Sequence, residues 1–187
     1  FDSIDIAPGY RAQPFFSWGD PVLPGAPAWL PDASQNWQIQ LQQAGDNHDG
    51  MHYFPFDDAP NDHGLLVINH EYVNSTLHEN GRTQQHGKRP PDQVKKEQAA
   101  HGVSVIEIRR DAQGEWQQVA NSQFNRRISV FTPMQISGPL AGHPLMQTAS
   151  DPDGRTVLGT LGNCAMGFTP WGTYLACEEN WNIYFHN

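Results

Sequence analysis

The sequence predicts a mainly β fold with long loops and few short helices. Three observations carry that reading: 15 prolines and 17 glycines among 187 residues, an aromatic share of 11%, and short apolar runs set apart by turn signals. A chain of this length can bury one ordinary core, and it can equally form part of a larger fold.

The opening stretch carries Pro8, Pro14, Pro21, Pro24, Pro27 and Pro31. Each proline fixes φ and withholds an N–H, so residues 1–45 read as an extended segment that wraps a surface. Trp18, Trp29 and Trp37 are its expected anchors, through the large aromatic area each can bury.

Strands are expected at Met51–Phe54, Gly64–Asn69, Val103–Ile108, Trp116–Ala120, Thr156–Leu161 and Gly172–Cys177. Asp111-Ala112-Gln113-Gly114 supplies a turn between the third and fourth, which marks a hairpin. Asp151-Pro152-Asp153-Gly154-Arg155 supplies another before Thr156. The one persuasive helix is Pro91–His101, with proline at its start, Asp92 early and Gly102 beyond its end. The polar stretch 74–90, with His78, Glu79, Arg82, His86, Lys88 and Arg89, reads as a long exposed loop. On pattern alone a sandwich, a barrel and a propeller all remain open.

Composition excludes several classes. A formal charge of −9 with only 11 Lys and Arg gives no nucleic-acid footprint. No apolar run approaches the roughly 18 residues that span a bilayer. Two cysteines do not make a disulfide scaffold. There is no G-x-S-x-G elbow, H-E-x-x-H pair, C-x-x-C pair, Walker loop or EF-hand. The start at Phe1 without Met reads as a mature or trimmed product, and the end at Asn187, just past the richest motif, as a chain cut short.

Three constellations could carry chemistry. Gly45-Asp46-Asn47-His48-Asp49-Gly50 is an oxygen-rich turn of the kind that binds hard cations, or an ordinary Asx turn. Asn69-His70-Glu71-Tyr72 ends the apolar run Leu65–Ile68, so a buried strand delivers polar groups to its rim. The densest is the block from Asn163 to Asn180, which holds Cys164, Cys177, Glu178 and Glu179. Thiolate suits iron, zinc or copper, and carboxylate suits harder ions. Strand alternation puts Cys177 and Glu179 on one face and Glu178 on the other. For the two cysteines, a disulfide, buried thiols and a metal ligand all remain open.

These blocks, together with Pro8-Gly9-Tyr10, Trp18-Gly19-Asp20-Pro21, Ala100-His101-Gly102-Val103, Asn125-Arg126-Arg127-Ile128 and Ile136-Ser137-Gly138-Pro139, occur in an order that closely resembles the PhoX-type alkaline phosphatases of bacteria. The resemblance spans almost the whole chain. It implies that residues 1–187 are the N-terminal portion of a single larger β-propeller, incomplete in this chain, with the rest of the propeller as its immediate partner. It further implies hydrolysis of phosphate monoesters at an oxo-bridged cluster of two ferric irons and three calcium ions, in an exported protein of the periplasm or cell exterior. Cys164 matches the family's iron-binding cysteine. Glu71 and Glu178 match acidic cluster positions, with Glu179, Asp49 and Asn47 as further metal candidates and Asn163 and His70 in supporting places. Cys177 matches no ligand role and reads as a buried thiol. Catalytic residues are expected beyond Asn187. The competing classes are a non-enzymatic calcium-stabilised propeller module and a lactonase-like or phytase-like propeller hydrolase.

Overall fold

The computed structural model describes residues 4–75, 89–180, 182 and 184. Most of the 74–90 stretch, including His78, Glu79, Arg82, His86 and Lys88, lies outside the described residues, as does His186. The elements in order are α1 (Trp37–Gln40), β1 (His48–Pro55), β2 (His63–His70), α2 (Pro91–Ala99), β3 (Gly102–Arg110), β4 (Trp116–Gln118), β5 (Arg126–Ile128), β6 (Thr132–Gln135), a 3₁₀ turn (Pro144–Met146), β7 (Thr156–Gly159), β8 (Asn163–Phe168) and β9 (Tyr174–Glu178). The chain is mainly β, and all its strand pairs are antiparallel.

The principal sheet runs β1-β2-β3, with β4 and β5 sharing the far edge of β3 end to end. β6 with β7 and β8 with β9 form two further hairpins. The expected strands at 116–120 and 156–161 end sooner, at Gln118 and Gly159. Three strands, β5, β6 and β8, were not expected. Their side chains carry no clear alternation, and β5 and β6 take their ladders from partners more than 20 residues away, while β8 pairs with the strand that follows it.

Alternation along β2 explains the two faces of the main sheet. Leu66 and Ile68 join Ile106, Ile108, Val22 and Ala44 in one core, against which Phe15, Phe16, Leu23, Tyr53 and Trp116 pack. Leu65 and Val67 join Val103 and Val105 on the other face, with Phe54, Ile128 and Tyr174. The first face is covered by the N-terminal segment, the second in part by β9.

The N-terminal segment is mostly without ladder bonds, apart from the bridge between Pro21 and Gln43, and it contains the unforeseen turn of helix α1. Of the expected anchors, Trp18 and Trp37 are half-buried, and Trp37 packs on Phe131 with ring centroids 5.4 Å apart. Trp29 is exposed, while Val22, Gln40, Gln43 and Ala44 are buried. Trp18 donates from Nε1 to Gln40 Oε1 at 2.9 Å, and Gln40 Nε2 donates to the Ala44 carbonyl at 2.9 Å. Amide side chains that satisfy backbone carbonyls can go into the interior, where proline-broken backbone lacks ladder partners.

Candidate metal centre

Asp49 comes from β1, Glu71 follows the last residue of β2, and Cys164 is the second residue of β8. Their ligand atoms all lie within 4.8 Å of one another. Three donors from β1, the exit of β2 and β8 therefore share one small volume.

Two β-bulges produce this convergence. Along β1 and β2, His48 faces His70 but Met51 faces Ile68, so Asp49 and Gly50 together oppose the single residue Asn69. In β8 and β9, Asn163 faces Glu178 but Met166 faces Ala176, so Cys164 and Ala165 oppose Cys177. A bulge inserts one residue, bends the strand and re-aims a side chain. His52 and Phe54, on the hairpin side of β1, would by strict alternation send Asp49 to the opposite face. The bulge returns it to the side where the β8–β9 hairpin lies. There Phe168 stacks on His52 with ring centroids 3.8 Å apart, and Met166 lies over Gly50.

The electrostatics are those of concentrated negative charge. The Cys164 thiol is pushed up to about 12, first by its hydrogen bond to the Asp49 carboxylate, then by burial and by the charges of Asp49, Glu179 and Glu71. Glu71 is also raised, by burial and then by Asp49 and Glu179. A thiol and a carboxyl that both resist ionisation beside further acidic side chains form a donor set that a cation would relieve. A soft sulfur beside hard oxygens suits a transition metal such as iron, zinc or copper better than calcium, which takes oxygen ligands.

The family model for Alkaline phosphatase PhoX matches residues 2–187. The chain belongs to the PhoX alkaline phosphatase family. Among solved structures it is similar to Pseudomonas fluorescens PhoX in complex with vanadate, a transition state analogue. The two share 44% sequence identity and a TM-score of 0.84, over 93% of this chain and 29% of that one. The chain thus spans less than a third of that relative's length. A comparison with curated proteins found no match.

The remaining candidates fall in different places. Glu179 lies close enough for its charge to act on both Cys164 and Glu71. Glu178 is turned to another set of partners: its Oε1 accepts from Thr160 Oγ1 at 2.5 Å and from the Leu161 N–H at 3.2 Å. Asn47 holds backbone, donating from Nδ2 to the Tyr72 carbonyl at 3.0 Å. Asn163 is fully buried, and its Nδ2 donates to Thr160 Oγ1 at 2.9 Å.

His70 projects to the opposite face of the sheet, where its Nε2 lies 2.7 Å from Ser104 Oγ. Burial, then the charges of Arg127 and His48, hold its pKa well below 6.5, so the ring is neutral. Cys177 is exposed, which corrects the expectation of a buried thiol, and both cysteines are free. It stands opposite the β8 bulge with its side chain toward solvent.

Sequence reasoning gave no role to two residues that the geometry puts beside the cluster. Asn69 is fully buried and donates from Nδ2 to the Cys164 carbonyl at 2.9 Å. The Tyr174 hydroxyl lies 2.9 Å from both the Gly50 carbonyl and Asn69 Oδ1. Burial, then Asp49, pushes this phenol up to about 12, so it is a proton donor at any physiological pH. Both lie within stretches the sequence singles out, but their role depends on partners 95 to 124 residues away.

Proposed function

We propose that this chain supplies part of the active centre of a metal-dependent phosphomonoesterase that releases inorganic phosphate from phosphate monoesters. The observation that carries the reading is the convergence of the ligand atoms of Asp49, Glu71 and Cys164 within 4.8 Å, from two strands and the exit of a third, in a PhoX-family chain. The similar Pseudomonas fluorescens protein, in complex with vanadate, binds a transition state analogue, which supports phosphoryl chemistry at a related site.

Cys164 would hold iron through sulfur, and Asp49 and Glu71 would complete its oxygen donors, with Glu179 at the margin. Glu178 and Asn47 remain metal candidates for the wider cluster of two ferric irons and three calcium ions. Bound cations supply Lewis-acid neutralisation of the phosphate oxygens. The strands of this chain would hold the three donors close together, where a bound cation would replace the thiol proton now shared between Cys164 and Asp49. The cysteine disfavours the calcium-only module, since calcium takes oxygen ligands. Family membership disfavours the lactonase-like and phytase-like readings.

The main sheet has four strand positions, with β4 and β5 sharing the last, which is the format of one propeller blade. That supports placing residues 1–187 within a larger propeller, with 1–45 wrapped on it and the catalytic cations and side chains completed from the remainder. Among the described residues no helix is long and apolar enough to cross a membrane. An exported protein of the periplasm or cell exterior fits the family.

The test is Cys164→Ser in the full-length protein, with iron measured by elemental analysis and activity by hydrolysis of p-nitrophenyl phosphate. Loss of iron with at least a tenfold fall in rate is expected. Normal iron and a normal rate would overturn the reading.

A further inference from the structure

The three donors are 22 and 93 residues apart in sequence, yet the backbone beside each is tied to one pair of side chains. Gly50, next to Asp49, offers its carbonyl to the Tyr174 hydroxyl at 2.9 Å. The same hydroxyl lies 2.9 Å from Asn69 Oδ1. Asn69 Nδ2 reaches the carbonyl of Cys164 itself at 2.9 Å and that of Ala165 at 3.4 Å. Asn69 stands in β2 two residues before Glu71.

The arrangement fixes the orientation of the amide. Two carbonyls face one end of the Asn69 side chain, so that end is NH₂, and the other end faces the phenol as an acceptor. The phenol carries a single hydrogen, which it shares between two acceptors, the Gly50 carbonyl and Asn69 Oδ1, and Asn69 has no exposure to water.

We propose that Asn69 and Tyr174 are positioning residues that lock the two bulges against each other and so set the spacing of Asp49, Glu71 and Cys164 for the metal. The inference rests on reading those three as a metal centre. Both bulges are places where a strand has left its regular ladder, and each would otherwise be free to settle into a neighbouring register. A lock at this point holds the donors to the few tenths of an ångström that metal coordination demands. A residue that only contributed core packing would influence unfolding without altering the metal.

Tyr174→Phe in the full-length protein keeps the ring in place and removes the hydroxyl. Asn69→Asp keeps the shape and removes both donors to β8. Each variant is titrated with iron(III) against a competing chelator, and the thiolate-to-iron absorption band is recorded, alongside thermal unfolding of the metal-free protein. A 10–100-fold fall in iron affinity with a shifted band is expected. A folded Tyr174→Phe protein with unchanged affinity and an unchanged band overturns the lock, whatever the fate of Asn69→Asp. Cys164→Ser, run in parallel, separates the two readings. If it also keeps the iron and the band, the metal centre itself is refuted. If it loses both while Tyr174→Phe keeps both, only the lock fails.

Discussion

Asn47 grips the backbone at Glu71 from two directions. Its carbonyl accepts the Glu71 N–H at 3.1 Å, and its side-chain amide donates to the next carbonyl, that of Tyr72, at 3.0 Å. Asn47 achieves this in a left-handed conformation, φ 40°, which asparagine tolerates better than most residues. Glu71 leaves the end of β2 held by another strand's entry turn.

Replacing Asn47 therefore separates strain from bonding. Asn47→Gly keeps the left-handed backbone and loses the side-chain bond, a cost of about 1 kcal/mol. Asn47→Ala adds strain of about 1 kcal/mol or more. Denaturant unfolding should rank wild type above Asn47→Gly above Asn47→Ala, with iron affinity reduced in both variants. Equal stability of the two would show that the conformation carries no strain.

Glu178 and Glu179 are adjacent and chemically alike, so a matched pair of amide variants reads their separate roles. Glu179→Gln removes a charge that acts on Cys164 and Glu71, and it should weaken iron binding several-fold. Glu178→Gln should leave that iron affinity near wild type and loosen the Thr160–Leu161 backbone instead. Isothermal titration with iron(III) checks both. A larger loss for Glu178→Gln would move the centre toward Thr160.

Gly50 has no room for a side chain. A Cβ there would lie 2.7 Å from the Cys164 carbonyl oxygen and 2.9 Å from Met166 Cγ. Gly50→Ala should displace β8 from β1, destabilise the protein by about 1–3 kcal/mol and reduce bound iron. Thermal unfolding and elemental analysis give the two readouts. Unchanged values of both would mean that the hairpin slides without consequence.

At the far end of β2 and β3, Glu107 Oε1 lies 2.7 Å from His63 Nε2, and Ser122 donates to its Oε2 at 2.5 Å. Burial would raise this carboxyl. The bonds from Ser122 and His63 and the charges of His63 and Arg109 outweigh it, and the pKa lies below 4.5. A depressed folded value means stability that is fully present above about 4.5 and is lost as pH falls through the folded value. Glu107→Gln should lower stability at pH 7 by about 1–3 kcal/mol and flatten its decline in acid. Urea unfolding from pH 7 down to pH 3 measures the slope, and an unchanged slope would remove Glu107 as its source.

The sequence by itself determined the class of the fold and its longest elements. β2 and β3 were legible because Leu65–Ile68 and Val103–Ile108 are apolar runs bounded by turn residues, and α2 because proline opens it and glycine follows it. Cys164, Glu71 and Asp49 were legible as suspects from their chemistry and from family motifs. Which of the acids stand together was not, because that depends on two inserted residues. Period-2 alternation assumes an unbroken ladder, and the bulges at Asp49–Gly50 and Cys164–Ala165 break it where the donors lie. Each bulge is set by the register against the next strand, which alternation within one strand does not specify. Asn69 and Tyr174 were hidden for a different reason, because their bonds reach across 95 and 124 residues. Local propensity sets where strands form, and only packing between strands decides what each side chain meets.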